Sequence, residues 1–196
     1  MKPKVSKVGN QFMATLKIED IKGYGNTESE AINDCKREII EFLNMPPDPV
    51  TLWKTEGYYE VLKYSKLQDT MENRRILTEA FLHSLPPKVN LDDFVEVRGN
   101  YKTYNTYGDA ILSVAIIEML MSNGSKNITT DKMPIITRQN VGNVMIKRGY
   151  NKYIISSLDL TSNVNIQGEI LEAWIGALAT IDRDLGIDFV RNIFHF

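Results

Sequence analysis

Residues 107–121 read YGDAILSVAIIEMLM, and this stretch decides the architecture. From Asp109 onward it is apolar almost all round, broken only by Ser113 and Glu118. That pattern predicts a central helix over 109–121, buried on most sides. It is too short to cross a bilayer, for which about 20 apolar residues are needed. Further along, Ile170, Ala173, Trp174, Ala177 and Ile181 fall on one face of a helix expected over 169–182. Two such apolar helices are expected to pack together in one core.

Around this pair the chain reads as helical from about residue 58 onward. Helices are expected over 58–67 and through Ile76, Leu77, Ala80, Phe81 and Leu85, the latter stopping at Pro86-Pro87. Asp131 is the expected cap of a helix reaching Arg148, with Gly149 at its end. A last helix is expected over 184–194. Ahead of these lies Met45-Pro46-Pro47-Asp48-Pro49, which no helix can run through, because proline lacks the amide donor and restricts the residue before it.

Before that break the pattern changes. In residues 11–18 (QFMATLKI), Phe12, Ala14, Leu16 and Ile18 alternate with the rest, the period of a half-buried strand. A shorter strand is expected over 4–8, with a turn at Gly9-Asn10. Gly23-Tyr24-Gly25 then leads to a helix capped by Asn26 or Thr27, whose apolar face includes Ala31, Cys35, Ile39 and Phe42. The fold class expected is therefore α+β. A small ββ(β)α module occupies 1–45, a linker and helix 46–68, and a helical domain 69–196.

Bulk composition narrows the function. Hydrophobic residues make up 43% and charged residues 24% of a 196-residue chain, which is enough to bury a core without staples. Cys35 is the single cysteine, so no internal disulfide is possible and a reducing intracellular setting, cytoplasm or organelle, is expected. Lys2, Lys4 and Lys7 are followed by no apolar stretch, so the start does not read as a secretory signal. A net charge of −2 and a pI near 5.8 argue against binding nucleic acid by bulk positive charge. Any such binding must come from local patches or from a partner; Lys147, Arg148 and Lys152 are the candidate cluster, with solvated surface charge the equal alternative. Two histidines and one cysteine, far apart, leave no zinc set. His83 reads as a hydrogen-bonded structural group. Gly23 and Gly25 are not followed by the Lys-Ser/Thr of a phosphate loop.

Acids are the candidates for chemistry. Asp109 opens the expected central helix, and Glu169 and Glu172, three apart, share a face of the other. Taken alone, Asp109 suits a helix cap, and glutamates in a first turn complement the helix dipole. Clustered carboxylates at a buried rim also suit Mg²⁺, a hard ion that takes oxygen ligands and retains water.

Four segments raise the second reading. Tyr107-Gly108-Asp109-Ala110-Ile111-Leu112 resembles the signature helix of the ribonuclease III family, E-x-x-E-F-L-G-D followed by a small residue. Glu172-Ala173-Trp174-Ile175-Gly176-Ala177 is similar to the family's second motif. Arg138, Asn143 and Gly149-Tyr150-Asn151-Lys152-Tyr153-Ile154 resemble its middle stretch, and Leu77–Ser84 (LTEAFLHS) its opening helix. The resemblance implies a helical nuclease domain that acts on double-stranded RNA with Mg²⁺, Mn²⁺ being the alternative ion. It implies a homodimer, or a heterodimer with another ribonuclease III-like subunit, and no membrane. Carried over position by position, Asp109 and Glu172 are the catalytic metal ligands. Glu169 stands for an aspartate of the same set, and Asn105 is a weaker ligand where the family has glutamate. Lys102 replaces a second glutamate. The rival implied by those departures is a catalytically degenerate subunit, RNA-binding or structural, of a larger RNA-processing or ribonucleoprotein assembly.

The front segment, from Phe12 through Gly23-Tyr24-Gly25-Asn26-Thr27 into a helix, resembles the second half of a double-stranded-RNA-binding domain. Where that domain carries lysines, this chain has Glu28 and Ser29. A HicB-type antidote fold shares the strand-strand-helix pattern, and a module that packs on the helical domain or on another subunit is the plain alternative.

Overall fold

The computed structural model describes residues 4–8, 11–15, 47–85, 91, 93–160 and 162–194. The chain divides into two units, 1–46 and 47–196. In the first, strands β1 (Lys4–Val8) and β2 (Gln11–Thr15) pair antiparallel, with Lys4 opposite Thr15 and Val8 opposite Gln11. The expected glycine turn at 23–25, the helix after it and Cys35 lie outside the described residues, as does His195.

Everything described in the second unit is helix or loop. Asp48 caps α1 (Pro49–Leu52), its carboxylate accepting from the amides of Val50 and Thr51 at 3.0 Å each. The chain continues through a wide π-turn (Trp53–Gly57) into α2 (Tyr58–Tyr64). Then come α3 (Met71–Phe81), α4 (Lys102–Ser122), α5 (Ile128–Lys132), α6 (Arg138–Lys147), a 3-10 turn (Asn151–Tyr153), α7 (Val164–Ile181) and α8 (Arg183–Phe194).

This corrects the expected α+β class. The described chain is predominantly helical, and its strands are confined to one hairpin. No third strand and no ββ(β)α module is found among the described residues. The alternation of residues 11–18 is a local signal for extended chain, and a two-stranded ribbon satisfies it without building a sheet. Within residues 47–68, Val50, Trp53, Tyr58 and Val61 are buried in the helical core.

The centre of that core is α7 rather than 109–121. Twelve of the thirteen positions from Gln167 to Ala179 are buried along it, Glu169 alone being partly open. Trp174 sits at its middle against Phe81, Tyr150 and Phe189, with ring centroids 5.2, 4.9 and 4.5 Å away, and its indole N–H donates to Ser65 Oγ at 3.0 Å. Each such aromatic pair adds about 0.5–1.5 kcal/mol beyond area burial. Trp53 repeats the device, stacking on Phe81 at 4.8 Å and donating to Thr78 Oγ1 at 3.0 Å.

Glycines set how closely helices approach α7. A Cβ on Gly108 of α4 would lie 1.7 Å from the carbonyl oxygen of Glu172, and one on Gly176 would lie 2.2 Å from that of Tyr104. Gly142 of α6 faces the Val164 carbonyl in the same manner. Backbone meets backbone at these crossings, so side chains flanking them on two helices are brought to one place.

Several boundaries differ from those expected. The helix containing Asp109 begins seven residues earlier, at Lys102, so Asp109 is interior and caps nothing. The single helix expected from Asp131 is two, capped by Asn127 and Thr137, with Pro134 between them. Asp131 instead accepts from Ser125 at 2.7 Å. α3 stops at Phe81, because Leu82 turns extended and bridges Ile155. Gly149 ends the α6 region with φ +76°, a left-handed conformation that favours glycine.

Candidate acidic site

The crossing of α4 and α7 carries the site. The backbone entering α4 is tied to the end of α3, as the amide of Tyr101 donates to the Leu82 carbonyl at 3.0 Å. Asn100 caps the first turn, its side chain accepting from the Lys102 amide at 3.1 Å. Buried Tyr104 donates its hydroxyl to Glu79 at 2.8 Å, fixing which face of α4 looks inward. Asn105 and Asp109 follow at helical spacing on the flank of the crossing.

Asn105 spans the two helices. Its amide Nδ2 donates to the Glu169 carbonyl at 3.1 Å and to Glu172 Oε2 at 2.8 Å. Glu172 is only 3% exposed, and its other oxygen, Oε1, carries no hydrogen bond among the described residues. Burial pushes the Glu172 carboxyl up to about 7; the negative charges of Asp109 and Glu169 add to this, while Asn105 and Arg138 oppose it. Asp109 is exposed at the mouth.

Glu169 is held from two sides. Arg138 of α6 pairs with Oε1 at 3.0 Å, and the Tyr101 hydroxyl donates to Oε2 at 3.1 Å. Burial, and then that bond to Glu169, raise the Tyr101 phenol to about 12, so it stays protonated and donates. Behind Tyr101 its ring stacks on His83, centroids 5.5 Å apart and planes 14° from parallel. His83 Nδ1 lies 3.3 Å from Ser84 Oγ and 3.4 Å from Ser156 Oγ. Burial and nearby Lys102 lower its pKa, which keeps the ring neutral at pH 7.

The structure thus brings Asp109, Glu172, Glu169 and Asn105 to one crossing. Among the described residues, no group of three or more His, Cys, Asp or Glu is disposed to hold a metal unaided. Glu169 has both oxygens occupied. What remains open is the Asp109 carboxylate and Glu172 Oε1. Mg²⁺ commonly takes one or two carboxylates and keeps several waters, and these are the two carboxylates on which its presence would depend.

The basic cluster is differently placed. Arg148, though exposed, donates to the Ile193 carbonyl at 2.9 Å, and Lys152 pairs with Glu56 at 2.8 Å. Lys147 is exposed at the last turn of α6. Two residues that matter at the site had no role in the sequence reading. Tyr101 lacks any pattern that marks it, and Arg138 appears there only as part of a motif. Glu79 is a third, buried to 1% and accepting from Arg75, Tyr104 and the Arg98 amide, yet indistinguishable in sequence from a surface helix charge.

A scan against protein-family models gives no match for this chain, and a search of curated proteins gives none either. No helix among the described residues is long and apolar enough to cross a membrane.

Proposed function

We propose that residues 47–196 form a ribonuclease III-like nuclease domain that hydrolyses phosphodiesters of double-stranded RNA as a homodimer. Asp109 and Glu172 are the ligands of one Mg²⁺, for which Mn²⁺ can substitute. The observation that carries this reading is the Glu172 carboxyl, buried beside two other acids and raised to about 7 by that burial and charge. Unneutralised negative charge at a buried rim is relieved by a dication. The motif order supports the same reading.

When bound, such an ion lowers the pKa of its water and offsets charge on the phosphate and the leaving oxygen. The chain's own groups do the positioning. Asn105 fixes Glu172 Oε2 and so aims Oε1 outward. Arg138 and Tyr101 fix Glu169 at the edge, where its carboxylate orders water. Asp109, at the open mouth, is the acid that substrate meets first.

A second reading has its own observation. The Asn105 amide on Glu172 and the Arg138 guanidinium on Glu169 compensate two acids without any metal. That arrangement favours a degenerate subunit, RNA-binding or structural, paired with another ribonuclease III-like chain. Incubation with long duplex RNA and Mg²⁺ or Mn²⁺ decides between them, with an Asp109→Ala/Glu172→Ala control. Cleavage by the native chain and not the control supports the nuclease. Binding without cleavage in either ion supports the degenerate subunit.

A further inference from the structure

Beside the acids, separated from them by the Tyr101 ring, lies an open depression of about 660 Å³ between the end of α3 and the start of α4. His83, Ser84, Arg98, Asn100, Lys102 and Thr103 supply its polar lining. Among the described residues its two charged groups are both cations. Arg98 and Lys102 are exposed, and the Arg98 ion pair with Glu96, at 3.8 Å with both ends over 70% exposed (71% and 75%), is too solvated to occupy it. Lys102 lies 6.0 Å from the Tyr101 ring centroid and has no carboxylate partner among the described residues.

We propose that this depression binds a backbone phosphate of the RNA strand next to the one held at the acids, with Arg98 and Lys102 as the phosphate-binding residues. The inference rests on the RNA reading above and adds to it the residues that hold substrate. Three observations favour it over the cluster at 147–152. The chain is net acidic, so phosphate contacts must be local. Arg148 already donates to the Ile193 carbonyl, and Lys152 already pairs with Glu56 at the surface. Arg138, the other cation at the acids, is taken by Glu169. Among the described residues, Arg98 and Lys102 are the exposed cations lining this depression. Lys102 also lies one turn before Asn105 on α4, so a phosphate on Lys102 and a phosphate at the acids belong to one continuous strand. The neutral His83 ring and the Ser84 and Thr103 hydroxyls supply hydrogen bonds without adding charge.

The test is binding of a short fluorescent RNA duplex by the full chain, in EDTA so that nothing is cleaved, over a series of salt concentrations. Arg98→Ala/Lys102→Ala is expected to weaken binding about tenfold and to reduce the salt dependence by about one to two counterions. Lys102→Arg, which keeps the charge, is expected to retain binding. Lys126→Ala, an exposed lysine on the α4–α5 loop, serves as the charge-loss comparison. Should the double variant bind like the native chain, or no worse than Lys126→Ala, the phosphate site is overturned while the RNA reading stands. Should the native chain bind no duplex RNA, both fall together.

Discussion

Gly108 rests on the backbone of Glu172, with room for no side chain between them: a Cβ would come within 1.7 Å of the carbonyl oxygen. This contact places Asp109, the next residue, beside the acid of the other helix. The acidic site is a by-product of helix packing, because two helices that touch at their backbones must bring together whatever flanks the contact.

Gly108→Ala is therefore expected to do more than lower helix flexibility. Alanine is the better helix former, so an isolated helix would gain slightly. Here the added methyl meets backbone on both Glu172 and Gly176, which cannot rotate away. The expected loss is about 3 kcal/mol, the upper end for overpacking, read from urea unfolding. An unchanged midpoint would mean that the helices are not in backbone contact.

Glu172 predicts a pH dependence of stability for the metal-free chain. Its folded pKa is about 7 against 4.5 for the free side chain, so the folded state holds the extra proton between those values. The contribution is full below about pH 4.5 and is lost as pH rises through about 7. It amounts to roughly 3 kcal/mol at most, at about 1.4 kcal/mol per unit. Subtracting the stability of Glu172→Gln from that of the native chain at each pH isolates it. A flat difference between pH 4 and 8 would show that Glu172 titrates normally and is not enclosed by acids.

How much of this was legible in sequence varied with the kind of signal. Apolar spacing around Trp174 marked α7 as a helix, because burial on one face repeats every turn, but the central place was given to 109–121, since near-continuous burial around α7 leaves no one-sided period to read. The start of α4 was not legible, since Lys102–Tyr107 (KTYNTY) has no apolar run; its helicity follows from buried Tyr104 and from Tyr101 bonding to Leu82. Pro134 lies inside the helix expected from Asp131 to Arg148 and divides it in two. Alternation over residues 11–15, the described part of 11–18, signals extended chain and says nothing about how many strands accompany it. The pairs Asn105–Glu172 and Arg138–Glu169 join distant segments, and no periodicity encodes them. Only the resemblance to ribonuclease III put those residues in one place, and it assigned Arg138 no carboxylate.

Glu79 is expected to be the most sensitive polar position outside the acidic site. Its buried carboxylate accepts from Arg75 Nη1 at 2.8 Å, the Tyr104 hydroxyl at 2.8 Å and the Arg98 amide at 2.7 Å. Glu79→Ala leaves the phenol and the amide without an acceptor and should cost about 3 kcal/mol, low in the range for a broken buried pair because Arg75 can reach water. Thermal unfolding measures it. A loss below about 1 kcal/mol, the scale of one ordinary hydrogen bond, would mean that water replaces all three contacts.

Asn105→Glu tests whether the crossing takes a cation at all. In EDTA the variant loses both amide donations and places a further carboxylate against Glu172, so its melting temperature should fall. Adding Mg²⁺ should reverse the order of the two proteins. Three carboxylates then face one ion, and affinity rises with ligand charge, so binding should tighten about tenfold or more over the native chain. A ligand at free concentration L that binds only the folded state raises stability as RT ln(1 + L/Kd), so the melting temperature against Mg²⁺ concentration reports both affinities. If Mg²⁺ moves neither protein, Asp109 and Glu172 do not share an ion, and the Asn105 and Arg138 contacts are the complete neutralisation of these acids.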